Sequence, residues 1–444
     1  MIEEILDKKL YDNINKACEK VRGESYVRVL AHNDGDGVSS AIILLNALKK
    51  LNIKFHLSFV KSLDNEGFRQ LFEEEKDPLT IVVDAGSSQI PGIIDYDNYI
   101  ILDHHFYNPV DGIRGININI RDYGINGTRE ACGSTMAYIF SLVLDESNRN
   151  LFPFFLSGVT SDKQDIGGLS GLNKTIYDAY NTYSIKHTLN LEGNLGDAIT
   201  YSLDPFFNGL TGNPDAVRGF LQSLNINFDK NILDLNDDEN KVLANALALK
   251  LLENNIGSDG IRYIEGDTLY YSDLNFTSKE LVSIIDGNSR VGENSLPVQY
   301  FLGDNSVRLE MLNNIKIYKT KLIDYIYRAN SEITEEKYLR YFYAPESEMA
   351  GPIAGAIALY LMRPDKPVIG FNSGNDDIKI SSRGTRALIA RGLNLSEVMS
   401  IACKKAGGSG GGHDIAAGGV IPPGREKIFI EAASEIIKSQ IHPL

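Results

Sequence analysis

Val27–Leu51 reads VRVLAHNDGDGVSSAIILLNALKKL, and two periodicities meet inside it. Ser25–Ala31 is a short apolar run of the kind that forms a buried strand, and Gly37–Leu51 carries apolar residues at helical spacing. Between them lies His32-Asn-Asp34-Gly-Asp36-Gly, a set of acids and glycines where a strand hands over to a helix. The pattern recurs downstream. Ile53–Val60 alternates as a strand, Leu79–Val83 (LTIVV) is apolar throughout, and Asn98–Leu102 (NYIIL) is another apolar strand. Continuous β-branched runs separated by helices predict an α/β fold whose parallel sheet is covered by helices on both faces. Ligands of such sheets bind beyond the carboxyl ends of the strands, so the residues after each strand are where chemistry is expected.

Those residues are acids and histidines. LTIVV runs into Asp84-Ala-Gly-Ser-Ser and NYIIL into Asp103-His104-His105, while Asp162 in SGVTSDKQD follows the apolar stretch Phe152–Val159. Carboxylates gathered at neighbouring strand ends repel one another unless cations lie among them. Imidazole and carboxylate donors without thiolate suit Mn²⁺, with Mg²⁺ as the alternative hard ion. If the first motif is strand-like, His32, Asp34 and Asp36 project to one side. The expected ligand sets are His32, Asp34 and Asp84 for one ion, and Asp36, Asp84, His104 and Asp162 for the other, with Asp84 bridging. Asp165 competes for the place of Asp162. Two such ions support in-line attack of water on phosphorus without a Ser or Cys nucleophile. His105 is then free to bond a phosphate oxygen or protonate the leaving group, and Asp103 to orient His104. A DHH or DxD tripeptide carries little weight alone. The weight lies in context: four of the seven histidines (His32, His104, His105, His413) fall in such motifs, and three of them directly follow apolar strands. His56, His187 and His442 lack that context and read as structural or exposed.

The ordered motifs HNDGDG, VVDAGSS, LDHH and GVTSDKQD resemble the four motifs of the DHH phosphoesterase family, and GGSGGGHDIAAGG (Gly407–Gly419) resembles the signature of its companion domain, DHHA1. Asn117–Tyr138 and ISSRGT (Ile380–Thr385) are similar to archaeal RecJ-like proteins, although Ile120 follows Asn119 where such proteins often carry Pro. Family pyrophosphatases space the first His three residues before the first Asp, whereas here Asn33 alone separates them. The resemblance implies a DHH catalytic domain (1–185), a helical connecting region (186–325) and a smaller α/β DHHA1 substrate-binding domain (326–444), with a cleft between the lobes. It also implies a Mn²⁺-dependent exonuclease that shortens single-stranded DNA or RNA to mononucleotides, with 5′→3′ the direction suggested by the RecJ name. Association with the GINS complex, or another replication or repair factor, is part of the same implication.

In the last third, Gly407, Gly408, Gly410, Gly411 and Gly412 read as a loop whose backbone can approach a phosphate closely. His413 at its end can donate to a phosphate oxygen, and Arg383 offers a planar fork for bidentate recognition. Phe206, Phe207 and Tyr341–Tyr343 are read as core aromatics before base-stacking ones. Asp237–Leu252 and Asn305–Ala329 are expected helices, and Asp204–Asn213 a loop.

Bulk properties set limits. The chain of 444 residues is long enough for two or three domains. A net charge of −15 and a pI near 5.0 argue against gripping duplex DNA over a broad face, though not against a narrow channel with metal ions. Cys18, Cys132 and Cys403 form no paired or zinc spacing and fit a reducing compartment. MIEEILDKKL reads as an amphipathic helix in place of a secretion signal. No apolar stretch nears the roughly 18 residues of a membrane helix, so a cytoplasmic protein is expected. Two competing functions remain. One is a small-molecule phosphoesterase acting on a short oligonucleotide, a cyclic dinucleotide or 3′-phosphoadenosine phosphate; the long middle region weighs against it. The other is a replisome scaffold, which is expected to have lost the ligands that this chain retains.

Overall fold

The structure, a computed structural model, describes residues 2–61, 64–74, 78–165, 168–253, 258–374 and 376–441; His442 lies outside the described residues. β1 (Tyr26–His32) is an inner strand of a five-stranded sheet with β2 (Lys54–Val60), β3 (Leu79–Val83), β4 (Tyr99–Asp103) and β5 (Ile116–Asn119), in the order β2-β1-β3-β4-β5. All four pairings are parallel. Every residue of β3 and β4 is buried, which is why their sequences are apolar throughout and do not alternate.

The two-residue period of the strands divides their side chains between two layers. Val27, Val29, Ala31, Ile81, Val83, Ile100 and Leu102 face a core shared with the helices Lys8–Arg22, Gly35–Lys50, Gly133–Leu144 and Phe152–Ser161. Leu30, Val82, Tyr99 and Ile101 face a smaller cluster with Phe68 and Phe72 of the helix Asn65–Glu74 and with Ile90 and Ile93. Helices therefore cover both faces. The chain reverses direction across the sheet between β1 and β3, the place where doubly wound sheets of this strand order hold their ligands.

The chain divides into two compact units, Met1–Ile185 with Thr268–Tyr318, and Lys186–Asp267 with Lys319–Leu444. In the first, the helix Ser278–Arg290 packs against the helices Gly35–Lys50 and Phe152–Ser161. In the second, a six-stranded sheet is built from β6 (Thr334–Glu335), β7 (Arg340–Tyr343), β8 (Val368–Ser373), β9 (Ile378–Arg383), β10 (Ser409–Gly412) and β11 (Ala416–Ile421). The β7–β8 pairing is parallel and the others antiparallel. Leu395–Lys405 and Glu426–Gln440 pack their apolar faces on this sheet around Phe371, Cys403 and Phe429.

Phe206 and Phe207 are fully buried, as core aromatics are. The three cysteines are buried and unpaired. Among the described residues no helix is long and apolar enough to cross a membrane.

Candidate metal centre

His32 is the last residue of β1, and the helix that follows begins at Gly35. Asp34 caps that helix: its Oδ1 accepts the Gly37 N–H at 3.0 Å. Asp36 lies in the first turn, and its carboxylate takes the N–H groups of Gly133 (2.6 Å) and Ser134 (2.9 Å), the first two residues of another helix. Free N–H groups and the helix dipole both favour an anion there. The expectation that His32, Asp34 and Asp36 share one side of a strand-like segment is corrected: a sharp strand-to-helix turn gathers them. Strand pairing ends at His32, and unpaired helix N–H groups then draw in the two acids.

Asp84 directly follows β3, is 1% exposed and has a left-handed φ of 60°. Asp is among the few side chains that tolerate this conformation. Its Oδ1 lies 3.1 Å from His104 Nε2, and its Oδ2 lies 3.6 Å from His32 Nδ1, beyond hydrogen-bond range. His32 Nδ1 is also 2.9 Å from Asp34 Oδ2, and His104 Nε2 is 3.8 Å from Asp36 Oδ2. Close packing depends on glycine at two positions. A Cβ on Gly133 would stand 2.5 Å from Asp84 Cβ, and one on Gly158 would stand 2.4 Å from Asp36 Oδ1.

The electrostatics are those of crowded acids. Burial, then the charges of Asp36 and Asp34, push the Asp84 carboxyl up to about 7. Burial and Asp36 push Asp162 up to about 6. Burial works against a charged His32, but Asp34 and Asp84 outweigh it and raise the imidazole to about 10. His104 is raised in the same way, chiefly by Asp84 against burial.

One buried atom, Asp84 Oδ2, makes no hydrogen bond, while His32 Nδ1 has Asp34 alone within bonding distance. Buried polar atoms without partners are uncommon and costly in folded proteins, and a cation among these donors relieves Asp84 Oδ2. His32, Asp34 and Asp84 each offer a donor atom within 4.8 Å of the others, and so do Asp36, His104 and Asp162; a third set joins Asp84, His104 and His105. Imidazole and carboxylate oxygen are the donors that hard or borderline divalent cations accept. The residues present therefore fit such ions. Asp165 falls in none of these sets among the described residues.

Around the donors lies a layer that the sequence did not single out. Gln164 is wholly buried; its Nε2 donates to Asp162 Oδ2 (2.7 Å) and to the carbonyls of Gly127 and Ala131 (3.0 Å each), while its Oε1 accepts from Asn173 (2.8 Å). Its place in SDKQD, two residues after Asp162, is a signal that could have found it. His104 Nδ1 pairs with the Gly127 carbonyl, leaving Nε2 toward the acids. The reading of Asp103 as the group that orients His104 is therefore corrected. Asp103 Oδ1 is 2.8 Å from His105 Nδ1, and the carboxylate also accepts the N–H groups of Ser87, His104 and His105. Burial acts against this charge, yet the His105 contact and the Ser87 N–H hold the acid well below the usual carboxylate range. The physical reason is reach: Asp103 ends β4 and lies on the side of His105. Asp286 also borders the site, through Ser161, and nothing local in the sequence marks it.

The second unit holds the other residues singled out. Arg383 ends β9; its Nη1 donates to the Ser382 carbonyl at 2.9 Å, and burial lowers its guanidinium. The glycine run, expected as a loop, forms strand β10, with Ser409, Gly410, Gly411 and Gly412 opposite Val420, Gly419, Gly418 and Ala417. A Cβ on Gly419 would stand 2.4 Å from Cys403 Sγ, so these glycines let the hairpin lie directly on the helix Leu395–Lys405. His413 is exposed in the turn between the two strands.

A parallel α/β sheet with an acid-and-histidine cluster at its switch point places the protein among the DHH phosphoesterase folds. Residues 26–159 match the DHH family, N-terminal domain, and residues 338–439 match the DHHA1 domain. The chain belongs to the DHH/DHHA1 family. It is 32% identical over 454 residues to Uncharacterized protein MJ0831 of Methanocaldococcus jannaschii, covering 98% of each. The fold is similar to RecJ in complex with Mn²⁺ from Thermus thermophilus (TM-score 0.57, 14% identity, 98% of this chain). This chain spans about half, 55%, of that protein. It is also similar to an exonuclease RecJ bound to manganese (TM-score 0.53, 14% identity, 98% and 96% covered) and to CDC45 from Entamoeba histolytica (TM-score 0.54, 10% identity, 97% and 98% covered).

Proposed function

We propose that the protein is a divalent-metal-dependent phosphodiesterase, a RecJ-like exonuclease that shortens single-stranded DNA or RNA from an end. The single observation that carries this reading is the pair of donor sets, His32–Asp34–Asp84 and Asp36–His104–Asp162, meeting at one strand-end cluster with Asp84 Oδ2 unpaired between them. Asp84 is the ligand assigned to both ions, and Mn²⁺ is the expected metal, with Mg²⁺ the alternative.

When bound, the ions supply Lewis acidity and a water nucleophile at neutral pH. The chain supplies position. Asp34 and Asp36 are held by helix N–H groups, His104 by the Gly127 carbonyl and Asp162 by Gln164, so the donors need little rearrangement on loading. His105 is held by Asp103, and that contact raises its imidazole against the effect of burial. It is the assigned group for donating a proton to a phosphate or leaving oxygen. Arg383, the glycine strand Gly410–Gly412 and His413 are assigned to the phosphate backbone of the substrate. What supports the nucleic-acid substrate is the fold shared with two RecJ structures over nearly the whole chain.

The test is digestion in Mn²⁺ of single-stranded DNA and RNA labelled at either end, alongside a duplex, a cyclic dinucleotide and pyrophosphate. Stepwise shortening of a single strand is the expected result, and it also reads polarity and sugar preference. Turnover of the small substrates alone would overturn the exonuclease assignment and leave the phosphoesterase chemistry. The likeness to CDC45 supports a second reading, in which the protein also associates with replication factors such as GINS; co-purification of GINS on the tagged chain tests it.

A further inference from the structure

A cavity of about 380 Å³ opens beside the metal ligands, within the first unit. Its lining on one side is His32, Asp84 and His105. The rest is different in character: Val60, Phe68 and Ala85 are apolar, and Ser88 and Gln89 are polar. Phe106, the residue after His105, also lines it and is 73% exposed. A phenyl ring this exposed lacks apolar partners over most of its surface, and large apolar side chains beside a polar catalytic cluster call for a ligand.

We infer that this cavity is a nucleobase subsite, in which the base of the nucleotide whose phosphate meets the metal ligands stacks on Phe106. The inference rests on the nucleic-acid reading above and extends it from phosphate chemistry to base contact. Three features favour a base over a second phosphate or a bare sugar. The volume accommodates one nucleoside-sized group. The lining offers an aromatic face with aliphatic neighbours, which every base can use because each has a π-face. Among the described lining residues Lys61 is the one Lys or Arg, so away from the metal ligands the lining offers few cations to a further phosphate. Ser88 and Gln89 can meet a base edge, but stacking alone is sequence-tolerant, as an enzyme that digests mixed sequence requires.

The test compares binding of dAMP and of 2-deoxyribose 5-phosphate to the full-length protein in Mn²⁺, by calorimetry. dAMP is expected to bind about tenfold more tightly than the sugar phosphate, the size of effect one stacked base confers. Phe106→Ala should bring dAMP to the affinity of the sugar phosphate and leave the sugar phosphate unchanged, with Phe106→Tyr restoring the difference. An exposed side chain makes an unchanged melting temperature the expected control. Equal affinities in the wild type, or an undiminished dAMP preference in Phe106→Ala, would overturn the subsite. Strand digestion separates this from the functional reading. A dAMP preference without strand shortening removes the exonuclease and keeps the subsite. Shortening that is indifferent to an abasic terminal residue does the reverse.

Discussion

Ser161 Oγ donates a 2.7 Å hydrogen bond to Asp286 Oδ1, tying the helix Ser278–Arg290 to the residue just before Asp162. The same segment reaches the first motif, since Ser289 Oγ and Asn294 Nδ2 both donate to the Asn33 carbonyl, at 2.7 and 3.0 Å. Two of the proposed ligand-bearing turns, some 130 residues apart in sequence, are thus clamped by a third segment from the middle of the chain.

Asp286→Ala should therefore loosen both turns. The expected outcome is a drop of about tenfold in Mn²⁺ affinity by calorimetry, with about 1–2 kcal/mol lost in denaturant unfolding for the part-buried hydrogen bond. Asp286→Asn keeps an acceptor for Ser161 and should recover most of the affinity. Unchanged metal binding in the alanine variant would remove the clamp.

Gly35 is constrained by the same contact, because a Cβ there would stand 1.9 Å from Asp286 Oδ1 and 2.6 Å from Ser161 Oγ. Gly35→Ala should cost about 1–3 kcal/mol of stability through overpacking and should lower metal affinity with it. Combining it with Asp286→Ala should give a smaller loss than the two single effects added, which a double-mutant cycle reads directly.

Asp84→Asn should abolish metal binding and hydrolysis while leaving the apo protein as stable as the wild type or more so. Asn tolerates the left-handed backbone at this position, and the substitution removes a buried charge that Asp36 and Asp34 repel. The check is melting temperature with and without Mn²⁺: the wild type should rise on metal addition and the variant should not. A variant near wild-type activity would end the shared-ligand assignment.

Gln164→Ala leaves the Ala131 carbonyl without a donor, the Gly127 carbonyl with His104 Nδ1 alone, and Asp162 without its neighbour. A loss of about 2–3 kcal/mol in unfolding is expected, together with weaker metal binding. Arg383→Ala should act elsewhere, raising KM for a single strand severalfold while Mn²⁺ affinity stays unchanged. A fall in metal affinity with KM unmoved would place Arg383 wrongly.

Much of this arrangement is legible along the chain. β3 matches its sequence run residue for residue, and β1 and β4 each begin and end one residue later than theirs, closing on His32 and Asp103, because apolar runs buried on both faces mark themselves. The helix Asp237–Leu252 is where its acids and apolar spacing put it. The glycine run was misread because glycine signals backbone freedom and close approach alike. Here the second applies, since the Met399 carbonyl and Cys403 Sγ, 2.8 and 2.9 Å from a Cβ built on Gly410, leave it no room for a side chain.

The sequence by itself determined the strand-helix order, the acids and histidines that follow the strands, and membership in a family, because these depend on local periodicity and on motifs a few residues long. Tertiary structure alone decided which partner each group takes. The His104 ring turned to Gly127 and not to Asp103, Asp36 was drawn to the N-terminus of the Gly133–Leu144 helix, and Asp286 arrived from more than 120 residues away. Such choices are set by distances of about 3 Å between segments remote in sequence, and hydrogen bonds weaken steeply with distance and angle. No spacing along a single chain encodes them.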